Sequence, residues 1–443
     1  MEAHPRDRLK RELTLTDTTF LVVASVIGAG IFFTPGQVAA LLPSPGWIFA
    51  AWGFGALISL AGALTNAELG AMYPRAGGDY VFLREAFHPL AGFLVGWLTF
   101  FAIYAGSIAA LAAAFGAGLS EALGWEGRGS LAIAVGVTVL VSGANYVGVR
   151  WGARANNLTS VLKIAALAAF VILGPSVGVG DPARFFAAAA GPITFTAFAL
   201  AMSPVLFSYL GWNASLYVGS EIRDPGRNLP RSLFLGLFLC AVLYLAINAV
   251  YLYAIPMEVL RGSPDAGRAA AGFLFGPIAG GLVGTFVLVS ILGTLNAAVL
   301  VGPRIAYAMG LDGLFLPGAD TVHPRFGTPA RAIVLQGAVA VAVLLLLRSF
   351  PAVLDFTIFA ILLAALADVA ALLRLRRTQP DRPRPYRAWG FPLTPLFYAA
   401  SMAGVAGVML VERSLESFVA IVAMLAGIPF YRLFRRRSFG TRP

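Results

Sequence analysis

The sequence has one cysteine, three histidines and few charges: 12% of its 443 residues are Asp, Glu, Lys or Arg, against 59% hydrophobic residues and a mean hydropathy of +0.81. Each shortage excludes something. Cys240 stands alone within an apolar run, so no intramolecular disulfide can form, and the residue reads as a small core side chain without an exposed thiol. His4, His88 and His323 are scattered, and no His or Cys cluster has metal-ligand spacing. No glycine-rich loop ends in Lys-Ser or Lys-Thr, which argues against ATP-driven pumping. No apolar run carries the ring-forming charges of an oligomeric channel pore. These absences predict no metal, no cofactor and no enzymatic chemistry.

What the chain has is apolar length, far more than a soluble fold can hide. A span needs about 20 apolar residues, and residues 18–67 carry no charge at all, enough for two spans joined at Pro43-Ser44-Pro45-Gly46. Charge-poor stretches place helices 3 to 12 near 89–118, 131–148, 155–176, 194–218, 232–255, 274–303, 331–348, 352–373, 391–411 and 414–432. The expected architecture is an all-α polytopic membrane protein of twelve transmembrane helices. No loop is long enough for a soluble domain; the longest, 375–390, is rich in Pro and Arg and connects helices 10 and 11. Residues 1–13 form a basic tail with no short apolar segment ahead of the first span, so no cleaved signal peptide is expected.

A net charge of +11 raises the question of nucleic acid, and the topology answers it. One side collects Arg6, Arg8, Lys10, Arg11, Arg75, Arg84, Arg150, Arg154, Arg223, Arg227, Arg231, Arg304, Arg325, Arg331, the group from Arg374 to Arg387 and the tail from Arg432 to Arg442. The other receives Arg128, Arg184, Arg261, Arg268, Arg348 and Arg413. This positive-inside asymmetry puts both termini in the cytoplasm and the chain in the cell membrane. Basic residues spread over short loops do not make a nucleic-acid face.

Two spans are interrupted at mid-depth by small or polar residues: Val26-Ile27-Gly28-Ala29-Gly30-Ile31-Phe32 in helix 1 and Phe207-Ser208-Tyr209-Leu210-Gly211-Trp212-Asn213 in helix 6. Glycine costs about 1 kcal/mol in a helix interior, and broken backbone at this depth is tolerated only where protein or a watery cavity satisfies it. The bland reading is close helix packing over small residues. The functional reading notes that first and sixth are equivalent members of two five-helix halves, the pattern of an inverted-repeat transporter with its site at the midplane. Free amides at a half-helix N-terminus attract an anion, and free carbonyls at a C-terminus attract a cation. A zwitterion fits both. An α-amino acid carboxylate is expected on the amides of Ala29, Gly30 and Ile31, beside Gly28, and its ammonium on carbonyls near Ile27, Phe207, Ser208 and Leu210, with Gly211 completing the second break.

Lys163 stands alone in helix 5, where a charge costs about 2.5–3.5 kcal/mol on insertion scales. Either it snorkels to the cytoplasmic interface, or it is an interior fixed or titratable cation donating to helix 1 carbonyls and to Ser290 and Thr294 of helix 8. The second reading allows a proton to couple to transport. Glu68, at the end of helix 2, and Asp368 are expected to pair with loop arginines; Asp355 is the other acid near membrane depth. Phe49, Trp52 and Trp97 read as packing or interface aromatics, while Phe207, on the broken segment, is placed to close over a substrate.

Residues 27–32 (IGAGIF), 67–80 (AELGAMYPRAGGDY) and 221–231 (EIRDPGRNLPR), with Gly302-Pro303-Arg304, residues 306–309 (AYAM) and residues 323–329 (HPRFGTP), resemble signatures of the amino acid-polyamine-organocation superfamily. The Phe207 to Asn213 segment is most similar to the L-type amino acid transporter branch. The resemblance implies a leucine-transporter-like fold: an inverted repeat of five plus five helices (14–176 and 194–374), two added helices (391–432) and a basic tail (433–443). It also implies that Phe207 is a gate and that Lys163 takes the place of an ion in sodium-coupled relatives, which makes transport sodium-independent. Leu210 stands where a small residue is frequent in the family, so it bears on pocket size. Eukaryotic members of the branch are disulfide-linked to a single-span glycoprotein through the loop between helices 3 and 4; here that loop, 120–130, has no cysteine, and no such partner is expected. The leading expectation is a carrier of neutral α-amino acids by exchange or proton-linked uptake. The alternatives are a carrier of cationic amino acids or polyamines, which would want acidic groups along helices 1, 3, 6 and 8, and a transport-inactive amino acid sensor.

Overall fold

The chain starts its first helix with a capping box. Thr14 Oγ1 accepts from the Asp17 N–H at 3.2 Å while Asp17 Oδ2 accepts from the Thr14 N–H at 2.9 Å, satisfying two amides that the helix itself leaves open. From there α1 runs Leu15–Val26, stops, and resumes as α2, Gly30–Leu41, bent by 41°. Pro45 opens α3 (Pro45–Met72) at a position where its missing N–H costs nothing. The predicted junction at 43–46 therefore separates α2 from α3.

The computed structural model describes residues 7, 9–125, 128–187, 191–347 and 350–440, apart from the side chains of 149–156, 347, 350–353 and 436–440. His4, Arg6, Arg8, Arg348 and Arg442, and the side chains of Arg150 and Arg154, lie outside the described residues. Beyond α3 come α4 (Asp79–Ala86), α5 (Pro89–Leu98), a π-helical turn (Thr99–Tyr104) and α6 (Ala105–Ala122), then α7 (Ser130–Val147) and α8 (Val149–Val177). The second interrupted span is α9 (Phe195–Ser208) and the single turn α10 (Ala214–Tyr217). There follow α11 (Pro225–Ala254), α12 (Met257–Arg261), α13 (Ala266–Phe275), α14 (Pro277–Val301), α15 (Pro303–Leu311), α16 (Ala330–Leu347), α17 (Phe350–Thr378), α18 (Leu393–Glu412), α19 (Ser414–Leu425) and α20 (Gly427–Gly440).

Among the described residues, nine helices are long and apolar enough to cross a membrane, or ten when α1 and α2 count as one span. Phe195–Ser208 and Ala330–Leu346 are apolar but shorter. In the span through α5 and α6, 83% of the most apolar stretch is buried, whereas in α7 and the apolar part of α8 22% is, so the former is core and the latter lie at the rim. Helix boundaries differ from the expected ones where motifs are themselves helical. The second half of the EIRDPGRNLPR segment makes the first two turns of α11, begun by Pro225 and not at 232, and Glu68 lies about one turn from the end of α3.

Long-range polar contacts gather the basic loops at one end. Buried Arg304 donates to Glu221 at 3.0 Å, Tyr73 donates to Gln379 at 2.8 Å, and Arg384 reaches Glu68 at 3.2 Å. At the opposite end Arg184 donates to Tyr253 O and Arg261 to Ala39 O.

Candidate functional site

The two breaks face each other across a packed seam. A Cβ built on Gly30 would lie 2.6 Å from Ser208 Cα, a backbone atom that no rotamer change can move. Gly211 has φ +102°, a conformation that side chains rarely adopt, and its Cβ would sit 2.6 Å from Ser25 O. Close packing and interruption are thus one feature: the glycines let the breaks touch.

The break in the first span leaves amides on one side and carbonyls on the other. Among the described residues, no acceptor reaches the amides of Gly28, Ala29, Gly30 or Ile31, the donors that a starting helix cannot satisfy itself. The carbonyl side is occupied. Lys163 Nζ donates to Ile27 O at 2.5 Å, to Thr294 Oγ1 at 2.8 Å and to Ala24 O at 3.2 Å. Thr294 Oγ1 lies 2.9 Å from both carbonyls, and Tyr244 donates to Val26 O at 2.8 Å. Lys163 is 1% exposed, so the snorkelling reading is overturned: the ammonium spends its donors on two helix 1 carbonyls and on Thr294. Ser290, expected to meet Lys163, instead lies 3.5 Å from Ile27 O.

A cavity of about 60 Å³ lies between the breaks, bordered by Gly28, Ala29 and Gly30, by Phe207, Leu210 and Gly211, and by Thr294. Ile27, Ile31, Ser208, Lys163 and Ser290 do not border it. Ile27 O is committed to Lys163, which corrects its expected use for an ammonium, and Ser208 Oγ shares a 2.7 Å hydrogen bond with Thr34 Oγ1. The sequence reading missed Ser25, Tyr104, Ser107 and Asn213, which border the cavity too. Ser25 had a signal, a hydroxyl one turn ahead of the break, and its buried Oγ has no partner among the described residues. Tyr104 had none: a π-helical turn brings it in, and nothing in the apolar stretch around it announces that turn.

The acids divide. Glu68, fully buried, takes Arg376 and Arg384 and the Ala388 N–H at 2.7 Å, as the arginine-pairing reading expects. Asp355 accepts from Ser203 at 2.9 Å and lies 3.4 Å from Arg413. Asp368 is a correction. It accepts from Asn66 Nδ2 at 2.8 Å and faces Asp79, with no arginine on it among the described residues, because α17 turns that face toward α3 and α4. Trp52 and Trp97 are packing residues, Trp52 edge-on to Tyr209 and Tyr244 and Trp97 stacked on Phe430. Cys240 is buried, and among the described residues no group of acids, His and Cys is arranged to hold a metal ion.

A family model described as amino acid permease matches residues 13–429. The chain belongs to this family. Relatives match along nearly the whole of this chain. The serine/threonine exchanger SteT of Bacillus subtilis is 32% identical over 98% of this chain and 99% of its own length. The b(0,+)-type amino acid transporter 1 of Mus musculus is 27% identical over 98% and 89%. The large neutral amino acids transporter small subunit 2 of Homo sapiens is 28% identical over 96% and 80%. These relatives are named as transporters and exchangers, not enzymes, and the chain is a multi-pass membrane permease of the superfamily that its motifs resemble.

Proposed function

We propose that this permease moves neutral L-α-amino acids across the cell membrane, independently of sodium, by exchange or proton-linked alternating access. The observation that carries the reading is the cavity between two backbone breaks, with the unclaimed amides of Gly28, Ala29 and Gly30 on one wall and that of Ile31 just behind it. The substrate carboxylate lies on those amides and the ammonium on the carbonyl end of α9, from Phe207 to Leu210. Phe207 gates the cavity. Its volume of about 60 Å³, and the Ser25, Ser107 and Thr294 hydroxyls on its walls, suit a small side chain, and among its described lining residues there is no acid to receive a cationic one. The Lys163 ammonium, seated on Ala24 O and Ile27 O, serves where a sodium ion would otherwise bridge the same carbonyls. A larger cavity of about 850 Å³ beside α2, α6 and α13 is the outer vestibule, at the end opposite the basic loops.

In this reading α9 and α16 are spans, making twelve in all, with 14–176 and 194–374 as inverted five-helix repeats, 391–432 as two added helices, and both termini cytoplasmic. With its one cysteine buried, the permease works without a disulfide-linked partner. Purified protein in liposomes, empty or preloaded, tests this with a panel of labelled amino acids, with and without sodium and a proton gradient. Uptake that needs internal amino acid means exchange, and uptake driven by an inward proton gradient means symport. Measurable binding with no transport of any amino acid sinks the proposal.

A further inference from the structure

Below the cavity, where α4, α10 and α17 meet, two carboxyl groups are buried against each other. Asp79 and Asp368 are each 2% exposed and interact directly. Tyr217 donates to Asp79 Oδ2 at 2.5 Å and Asn66 donates to Asp368 Oδ2 at 2.8 Å. That leaves Asp79 Oδ1 and Asp368 Oδ1 with no donor among the described residues. The groups packed around the pair are Asn66 from α3, Tyr104 from the π turn, Tyr217 from α10 and Tyr398 from α18. The ion pairs on the neighbouring helices, Glu68 with Arg376 and Arg384 and Arg84 with Glu85 and Asp312, spend their charges on themselves. Ionising both of two touching carboxylates without a cation is strongly opposed, and together they titrate as one unit.

We propose that Asp79 and Asp368 hold one proton between them and are the permease's proton-binding site. In the loaded state one carboxyl is protonated and donates to the other, supplying the missing donor; on release both are carboxylates and repel. Burial pushes the Asp79 carboxyl above the usual carboxylate range, in the same direction. A second polar atom faces the place. Asn66, 2% exposed, has its Oδ1 without a donor and lines, with both acids, a cavity of about 50 Å³. That exceeds the ~10–15 Å³ one water needs, so a water can deliver or remove the proton. Ile103, Leu210 and Asn213 border this cavity and the upper one alike. Asn213 Nδ2 donates to Tyr217 Oη at 3.3 Å, which joins the second helix break to the acid pair in two hydrogen bonds. The pair also sits in the seam that closes the basic end, where the Gly77 N–H donates to Tyr217 O at 3.1 Å. Losing the proton loads repulsion onto that seam. The assignment of a proton here stands without the transport reading; only its link to turnover rests on it.

Infrared difference spectra of the purified full chain, taken without substrate across a pH titration, read the proton directly. The expected result is a protonated-carboxyl C=O band at neutral pH that Asp368→Asn and Asp79→Asn each remove. Tyr217→Phe, which keeps both acids but takes a donor from the ionised form, is expected to move the band's titration to higher pH. In sodium-free liposomes the two Asn variants are expected to have a flattened pH profile of uptake. A band that survives both Asn variants, or a titration that Tyr217→Phe leaves unmoved, overturns the proposal. Loss of the band in the variants of a protein that carries no amino acid supports the proton site and overturns the transport reading alone.

Discussion

Lys163→Met keeps an unbranched apolar stem of similar length in place of the lysine, so packing beside α1 is largely preserved while the ammonium is lost. Three oxygens lose a donor: Ile27 O, Ala24 O and Thr294 Oγ1. Thr294 can still donate to one carbonyl, being 2.9 Å from both. One buried carbonyl at the end of α1 is then left with at most the long 3.5 Å contact from Ser290 to Ile27 O, a loss of about 1–3 kcal/mol. If that energy weighs on the geometry in which the breaks face each other, the competent population falls about 5- to 150-fold. The KM for the best-transported amino acid, measured in sodium-free liposomes, should rise by a factor in that range, and the Tm of the detergent-solubilised protein should fall. Lys163→Arg should not rescue, since a planar fork does not fit three oxygens arranged around a point charge. A KM within twofold of the parent together with an unshifted Tm would refute the claim that Lys163 holds the break.

Gly30→Ala should destabilise by about 1–3 kcal/mol through overpacking against Ser208 backbone, whereas Gly53→Ala, with open space around it, should be neutral or stabilise by up to ~1 kcal/mol; equal Tm values for the two would sink the seam argument. Glu68→Gln should lower stability by about 3–5 kcal/mol by stranding buried Arg384, read as thermal unfolding by tryptophan fluorescence. Asp265, in the connection ahead of α13, is raised from 3.8 to about 6 by burial. The folded state thus binds its proton more tightly than the unfolded one, and the stability present below pH 3.8 is lost as pH rises through about 6. Asp265→Asn should flatten Tm across that window while keeping an oxygen to cap Arg268 N–H.

Local signals were legible wherever backbone chemistry is local. The uncharged run from 18 to 67, the prolines at 43 and 45 and the two glycine-bearing interruptions placed α1, α2, α3 and the end of α9 to within a few residues. Helix ends embedded in motifs were not, because Pro225 starts a helix as readily as it ends one. The cavity's border was half legible. Gly28, Ala29, Gly30, Phe207, Leu210 and Gly211 sit on the breaks themselves, whereas Tyr104 enters it at the end of a π turn and Ser107 in the first turn of α6 that follows.

What the sequence alone determined was the solvent, the two breaks and the family, since each rests on composition or on the conformational range of a few neighbouring residues. The tertiary structure decided which groups meet. Lys163 and Ile27 are 136 residues apart, Asn66 and Asp368 are 302. Helices such as α3 and α14 are apolar on nearly every face, so hydropathy carries no information about their rotation. That rotation is set by close packing at glycines and by the need of each buried polar atom for a partner. It took Asp368 away from the arginines and put it against Asp79.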